Sequence, residues 1–169
     1  KHAYCPVHWR SWRQGAEGGR LRRVERELQS LKADVVCLQE CLLPHFYELS
    51  ELLRDDFDGA HISEVLGVEP NEACRSGMGN AVFIRKRRVR TLEVSGVLLA
   101  SCSKRYSGHV KSLLASLSDS VLLARLAVRD DASGRFREVC LGSLHLHYDP
   151  RWPHIKACQA EIAVRALHE

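Results

Sequence analysis

Apolar residues recur along the chain with two different periods, and the changes between them divide it into helices and strands. Leu21, Val24, Leu28 and Leu31 fall at i, i+3, i+7 and i+10, with Arg22, Arg23, Glu25 and Arg26 between them, so an amphipathic helix is predicted. DVVCLQE (34–40) is apolar on both alternating faces, the pattern of a strand covered on two sides. Pro44 suits the first turn of a helix, and Phe46, Leu49 and Leu53 then share one face up to RDDFDG (54–59). Beyond that point strands separated by turns are predicted. AHISEVLG (60–67), GNAVFIRK (79–86), VRTLEVSGVLLA (89–100), SVLLARLAV (120–128) and EVCLGSLHLHY (138–148) are the candidates. Polar connections at 68–78 and 101–120 and a turn at DDASGR (130–135) separate them, and the opening YCPVHWRSWRQGAEGG (4–19), which has no period, reads as a loop. A last helix runs from about Trp152 with Ile155, Ile162 and Ala166 at helical spacing. The order of helix, strand, helix, several strands and helix predicts one mixed α/β domain of layered sheet and helix over residues 1–169.

Composition adds bounds to this picture. Of 169 residues, 45% are hydrophobic and 27% charged, values of an ordinary globular domain. No apolar run approaches the roughly 20 residues of a membrane span, so no membrane partner is expected. The net charge of +4 is concentrated in Arg20–Arg26 and Arg85–Arg90, which would either attract a polyanion or form the solvated side of a helix and a strand end. The seven cysteines contain no CxxC pair and leave one over, which argues against a disulfide framework and for a reducing, cytoplasmic or nuclear compartment. Cys37, Cys140 and Cys158 sit in apolar patterns, where a free cysteine acts as a small hydrophobe.

Few residues carry chemistry. Glu40 follows a buried run directly, at a strand end, where a carboxylate either holds Mg²⁺ or pairs with a nearby arginine. His145 and His147 would share one face of the strand at 138–148. They are a Zn²⁺ pair that lacks a third ligand at suitable spacing, phosphate-contacting imidazoles, or satisfied strand-end residues. Gly77 and Gly79 in GMGNA permit positive φ or a close backbone approach. No P-loop, GxGxxG or GxSxG is present.

The order of these pieces is more specific than any one of them. YCP, Trp12, Arg20, ADVVCLQE, GNAVFIRK and LHLHYDPRWPHIKACQ together resemble the endonuclease/exonuclease/phosphatase superfamily. Within it the nearest resemblance is to carbon catabolite repressor-type deadenylases, nocturnin, the Angel proteins and 2′-phosphodiesterase. The resemblance implies a DNase I-like four-layer α/β/β/α sandwich, present as the first half without its opening strand and without the C-terminal half. It also implies that Glu40 is a catalytic residue and the ligand of Mg²⁺, with Mn²⁺ as a substitute, and that His145 contacts the scissile phosphate. Asn80 and His147 are the implied substrate-binding residues; Asp149, Pro150, Lys156 and Gln159 shape the adjoining loop and helix, and Arg20 is a structural residue of the first helix.

The expected activity is Mg²⁺-dependent phosphodiester hydrolysis of RNA, as in a 3′-to-5′ poly(A) exoribonuclease, with poly(A) RNA and a protein complex as partners. Alternatives are a phosphodiesterase for 2′,5′-oligoadenylate, DNA or phospholipid, or a degenerate scaffold. The chain departs from the family in lacking GDFN-like and SDH-like motifs, in Leu144 where the family has threonine, and in Met78 at an often acidic position. The missing half is expected to be needed for a complete site, so the 169 residues alone are expected not to turn over substrate.

Overall fold

The structure, a computed structural model, describes residues 19–67, 77–147 and 149–169. The YCP segment, Trp12, Cys5, Cys74, most of the polar loop at 68–76 and Tyr148 lie outside the described residues. Helix α1 (Gly19–Ser30) buries Leu28 and packs Leu21 and Val24 against the same cluster, as the stripe predicts. It ends one residue before Leu31, and Lys32 then takes φ 50°, which leaves Leu31 exposed. Strand β1 (Val35–Leu42) leads straight into α2 (Leu43–Leu53), which has Pro44 in its first turn and buries Phe46, Leu49 and Leu53.

Two expectations are corrected next. AHISEVLG is no strand: β2 (Phe57–His61) stops at His61, and α3 (Ile62–Leu66) begins there. The His61 side chain accepts the Ser63 N–H as an N-cap, and Gly67 closes the helix at φ 61°. Ile62, Val65 and Leu66 are spaced as one helical face, which the short alternation had hidden. The connection at 101–120 is also mostly helical, with a 3₁₀ helix (Leu99–Arg105) and α4 (Gly108–Ser116). Val110, Leu113, Leu114 and Leu117 carry the i, i+3, i+4, i+7 pattern between its serines, and Leu114 is fully buried.

Strands β3 (Met78–Arg85), β4 (Val89–Leu98), β5 (Ser120–Arg129) and β6 (Phe136–Leu144) and helix α5 (Pro153–His168) complete the chain. Among the described residues all pairings are antiparallel, in two three-stranded sheets of order β1-β3-β2 and β4-β5-β6. The sheets face each other across Val82, Ile84, Leu122, Ala124 and Leu126. On the far side of the first sheet, Val36, Ala81 and Phe83 pack under α1 and α2; on the far side of the second, Val121 and Leu123 pack under α4 and α5. The result is a four-layer α/β/β/α sandwich, and β3 and β5, each buried on both faces, are its spine. The outer part of β6 is less covered, so Cys140 is exposed rather than buried as its apolar neighbours suggested.

Both glycine roles anticipated for GMGNA occur. Gly77 has φ 64°, and Gly79 passes so close to the α3 start that a Cβ would lie 2.4 Å from Ile62 Cγ2 and 3.2 Å from His61 Cε1. Gly79→Ala must displace a buried isoleucine, and chemical denaturation is expected to show a loss of about 1–3 kcal/mol.

Candidate active site

The register of β1 on β3 slips where chemistry was expected. Leu38 pairs with Ala81 and Cys41 with Gly79, so Gln39 and Glu40 together face the single residue Asn80. This β-bulge turns both side chains out of the strand's alternation, and Glu40 takes a φ of 53°, uncommon for a residue with a Cβ. Gln39 reaches across to the second sheet and donates to Ser143 Oγ at 3.3 Å, tying the bulge to β6 two residues before His145. Glu40 turns to a cleft of about 120 Å³ lined by Glu40, Met78, Gly79, Asn80, Asp119 and His145, with Ser118 and Ser120 at its side.

Three of the four site residues named from sequence meet in this cleft. His145 Nδ1 lies 3.6 Å from Glu40 Oε1, with both side chains about half exposed. At that exposure the pair adds little stability, about 0–1 kcal/mol at most, so it does not explain the strained backbone of Glu40. Asn80 is 4% exposed and donates from Nδ2 to the Ser120 carbonyl at 2.9 Å. That bond fixes which way the amide faces, and it leaves Oδ1 buried without a partner. A buried acceptor left open costs about 1–3 kcal/mol and marks a place for a ligand's donor.

His147 is placed differently. β6 ends at Leu144, so His145 and His147 stand on the following loop and do not share a strand face. His147 Nδ1 is 4.0 Å from Asp119 Oδ2, and its backbone N–H donates to Gln159 Oε1 at 2.8 Å. The two imidazoles thus have separate carboxylate neighbours, and among the described residues no three His, Cys, Asp or Glu side chains cluster as a metal site. A single carboxylate still fits Mg²⁺, which commonly keeps several waters and takes one or two protein carboxylates. It does not fit Zn²⁺, which wants three or four nitrogen and sulfur ligands.

Asp119 was not anticipated from sequence. It directly precedes β5 in a stretch read as a polar connection; the start of β5 places it at the cleft, and Gln159 of α5 reaches it there. Gln159 of α5 is fully buried; it donates to Asp119 Oδ2 at 2.6 Å while accepting from His147. One buried amide therefore joins the cleft rim to the loop that carries His145. Asp149 shapes the next turn: it accepts from Arg151 N at 2.9 Å, from the Arg151 guanidinium at 2.6 Å and from Trp152 Nε1 at 3.1 Å. These bonds, Arg151's foremost, hold its carboxyl well below the usual carboxylate range. Arg20 lies on the exposed side of α1. The Arg85–Arg90 run sits at the opposite end of β3 from the cleft. There Arg85 donates to the Ala33 carbonyl, Lys86 pairs with Asp58 and Arg88 with Asp131.

No family model matches the chain. The mouse protein 2′,5′-phosphodiesterase 12 is 24% identical over 151 residues, which is 83% of this chain and 23% of that protein. The structure of ANGEL2, a 2′,3′-cyclic phosphatase, with adenosine-2′,3′-vanadate superposes with a TM-score of 0.64 at 21% identity, over 86% of this chain and 37% of that one. An endonuclease/exonuclease/phosphatase family protein from Bacteroides thetaiotaomicron gives 0.62 at 17%, over 88% and 50%. The chain has the fold of the endonuclease/exonuclease/phosphatase superfamily. It spans half or less of these two structures and about a quarter of the mouse relative. The DNase I-like sandwich expected from the motifs is therefore present in its four layers, with three strands per sheet. No helix among the described residues is long and apolar enough to cross a membrane.

Two outcomes test this geometry. Gln159→Leu leaves the His147 N–H and the Asp119 carboxylate without their partner, and a loss of about 1–3 kcal/mol is expected in denaturant unfolding. For Asp149 the folded state has the lower proton affinity, so its contribution is complete above the ordinary carboxylate range and fades as pH falls through the lowered value. Thermal melts of wild type and Asp149→Asn should differ most near neutral pH and converge progressively below about pH 4.

Proposed function

We propose that this chain supplies half of the active site of a divalent-cation-dependent phosphodiester hydrolase acting on the 3′ end of RNA, with poly(A) as substrate. The observation that carries the reading is the cleft at the β1 bulge. Glu40, the open Oδ1 of buried Asn80 and the His145 imidazole converge there from three different strands and loops. The residues have complementary tasks. Glu40 is the carboxylate that would hold Mg²⁺ or Mn²⁺, and such an ion supplies Lewis-acid polarisation of a phosphoryl oxygen. His145, beside Glu40 in the cleft, would donate a hydrogen bond to a phosphate oxygen. Asn80 Oδ1 accepts from a ribose hydroxyl, a donor that DNA lacks at the 2′ position. His147 supports the loop through Gln159 beside the cleft, whereas Asp119, held by the same amide, also lines the cleft.

The names of the relatives lend support at the level of chemistry. The names 2′,5′-phosphodiesterase 12 and 2′,3′-cyclic phosphatase both denote cleavage of phosphate esters. The former also favours a second reading, hydrolysis of 2′,5′-linked rather than 3′,5′-linked adenylates. The chain lacks the GDFN-like and SDH-like motifs of the resemblance, so the 169 residues by themselves are proposed to be inactive.

The test uses the protein encoded by the full transcript, with Mg²⁺ or Mn²⁺, against oligo(A), 2′,5′-oligoadenylate, single-stranded DNA and phospholipid. Trimming of oligo(A) from its 3′ end is expected; preference for the 2′,5′ linkage would move the assignment to the second reading, and action on phospholipid alone would refute both. Glu40→Ala and His145→Ala should each lower kcat by at least about 100-fold with folding retained. Unchanged turnover in Glu40→Ala would end the metal role.

A further inference from the structure

His61 is the most completely enclosed titratable side chain among the described residues, at 0% exposed, and the cleft chemistry makes no direct use of it. Its ring nitrogens both have partners. Nδ1 accepts the Ser63 N–H at 3.2 Å, and Nε2 lies 3.0 Å from the Cys41 carbonyl oxygen. A carbonyl only accepts, so Nε2 carries the proton and Nδ1 does not; the partners specify one neutral tautomer. Phe46 packs against the ring at 5.4 Å between centroids, and Gly79 crosses it so closely that a Cβ there would meet Cε1 at 3.2 Å. The imidazole cannot turn without moving β3. Burial lowers its proton affinity, opposed by the Cys41 carbonyl and by Glu64 of α3, the charged side chain that acts on it.

The carbonyl that His61 holds belongs to the residue directly after Glu40. Glu40 has φ 53°, and a backbone strained in that way persists only where its surroundings hold it there. The bulge has already taken Gln39 and Glu40 out of the regular register with β3. A buried ring fastened to the next carbonyl is what sets the peptide plane at the exit of that bulge. We infer that His61 is a positioning residue for Glu40: its Nε2–H anchors the Cys41 carbonyl, keeps the bulge in its left-handed conformation, and so directs the Glu40 carboxylate to the cleft.

This role rests on the metal reading of Glu40 for its function, though not for its geometry, and the experiment separates the two. Nitrogen-15 spectra of the wild-type imidazole should show the Nε2–H tautomer with a hydrogen-bonded proton; the Nδ1–H tautomer would overturn the proposal without any variant. His61→Phe keeps the ring and removes both nitrogens, and His61→Gln restores an N–H donor near the Nε2 position. In His61→Phe the HN–Hα coupling and the Cα and Cβ shifts of Glu40 should move towards extended-strand values. Mn²⁺, used as the probe through its paramagnetic broadening of Glu40 and His145, should bind about tenfold or more weakly. His61→Gln should recover most of both. Wild-type values in folded His61→Phe, or a folded His61→Gln no better than His61→Phe, would refute the role. If His61→Phe does not fold, His61→Gln and the tautomer decide. Absence of Mn²⁺ binding in wild type would overturn the metal reading alone, leaving the Glu40 coupling to judge His61.

Discussion

The mismatch of two residues on β1 against one on β3 is the constraint from which the rest of the cleft follows. Strand alternation would send Gln39 and Glu40 to opposite faces of a sheet that is covered on both sides, by helices on one and by the second sheet on the other. Both faces are apolar, and a carboxylate in either would be desolvated at high cost. The extra residue resolves the conflict at the strand end. Gln39 finds Ser143 on the second sheet, Glu40 leaves the sheet altogether, and the left-handed φ of Glu40 is the local strain that the rearrangement carries.

That strain is held by the interior. Gly79 leaves space above His61, His61 reaches the Cys41 carbonyl, and Ile62 fills what remains beside them. The exposed ion pairs contribute less: Arg54 with Glu51 and Arg165 with Glu161 are solvent-facing, each within about 1 kcal/mol of nothing. The buried amides of Gln159 and Asn80 matter more, because an unpaired polar atom in the interior costs about 1–3 kcal/mol. Gln159 meets that demand within the protein, between Asp119 and the loop of His145. Asn80, which lines the cleft, meets half of it and keeps one buried acceptor without a partner. The two amides thus divide the work of the site, one rigid and internal, the other available.

Much of this was readable from residue types in order, and the exceptions share a cause. The stripes on α1 and α2 and the two-sided run of β1 extend over enough residues to be unambiguous, and each element forms there, with α1 stopping before Leu31 and β1 running on to Leu42. α3 and α4 were missed because one is five residues long and the other is interleaved with serines, so their apolar spacing competes with turn and strand signals. His145 and His147 were expected on one strand face, but β6 stops at Leu144 where Gln159 takes the His147 N–H. Alternation does not extend into a loop whose backbone is pinned by a helix arriving from later in the chain.

Sequence alone determined the layered α/β class and the placement of Glu40 near the end of a buried strand, because burial patterns are properties of neighbouring residues, while the candidacy of Asn80 rested on the family resemblance. Only the tertiary structure decided that Glu40, Asn80 and His145 share one cleft, that Asp119 joins them, and that His147 turns aside to support the loop. Those outcomes depend on register between strands 40 residues apart and on a helix crossing a sheet. A bulge changes register by one residue without leaving a mark in the pattern of hydrophobic and polar positions, and so it is settled by packing.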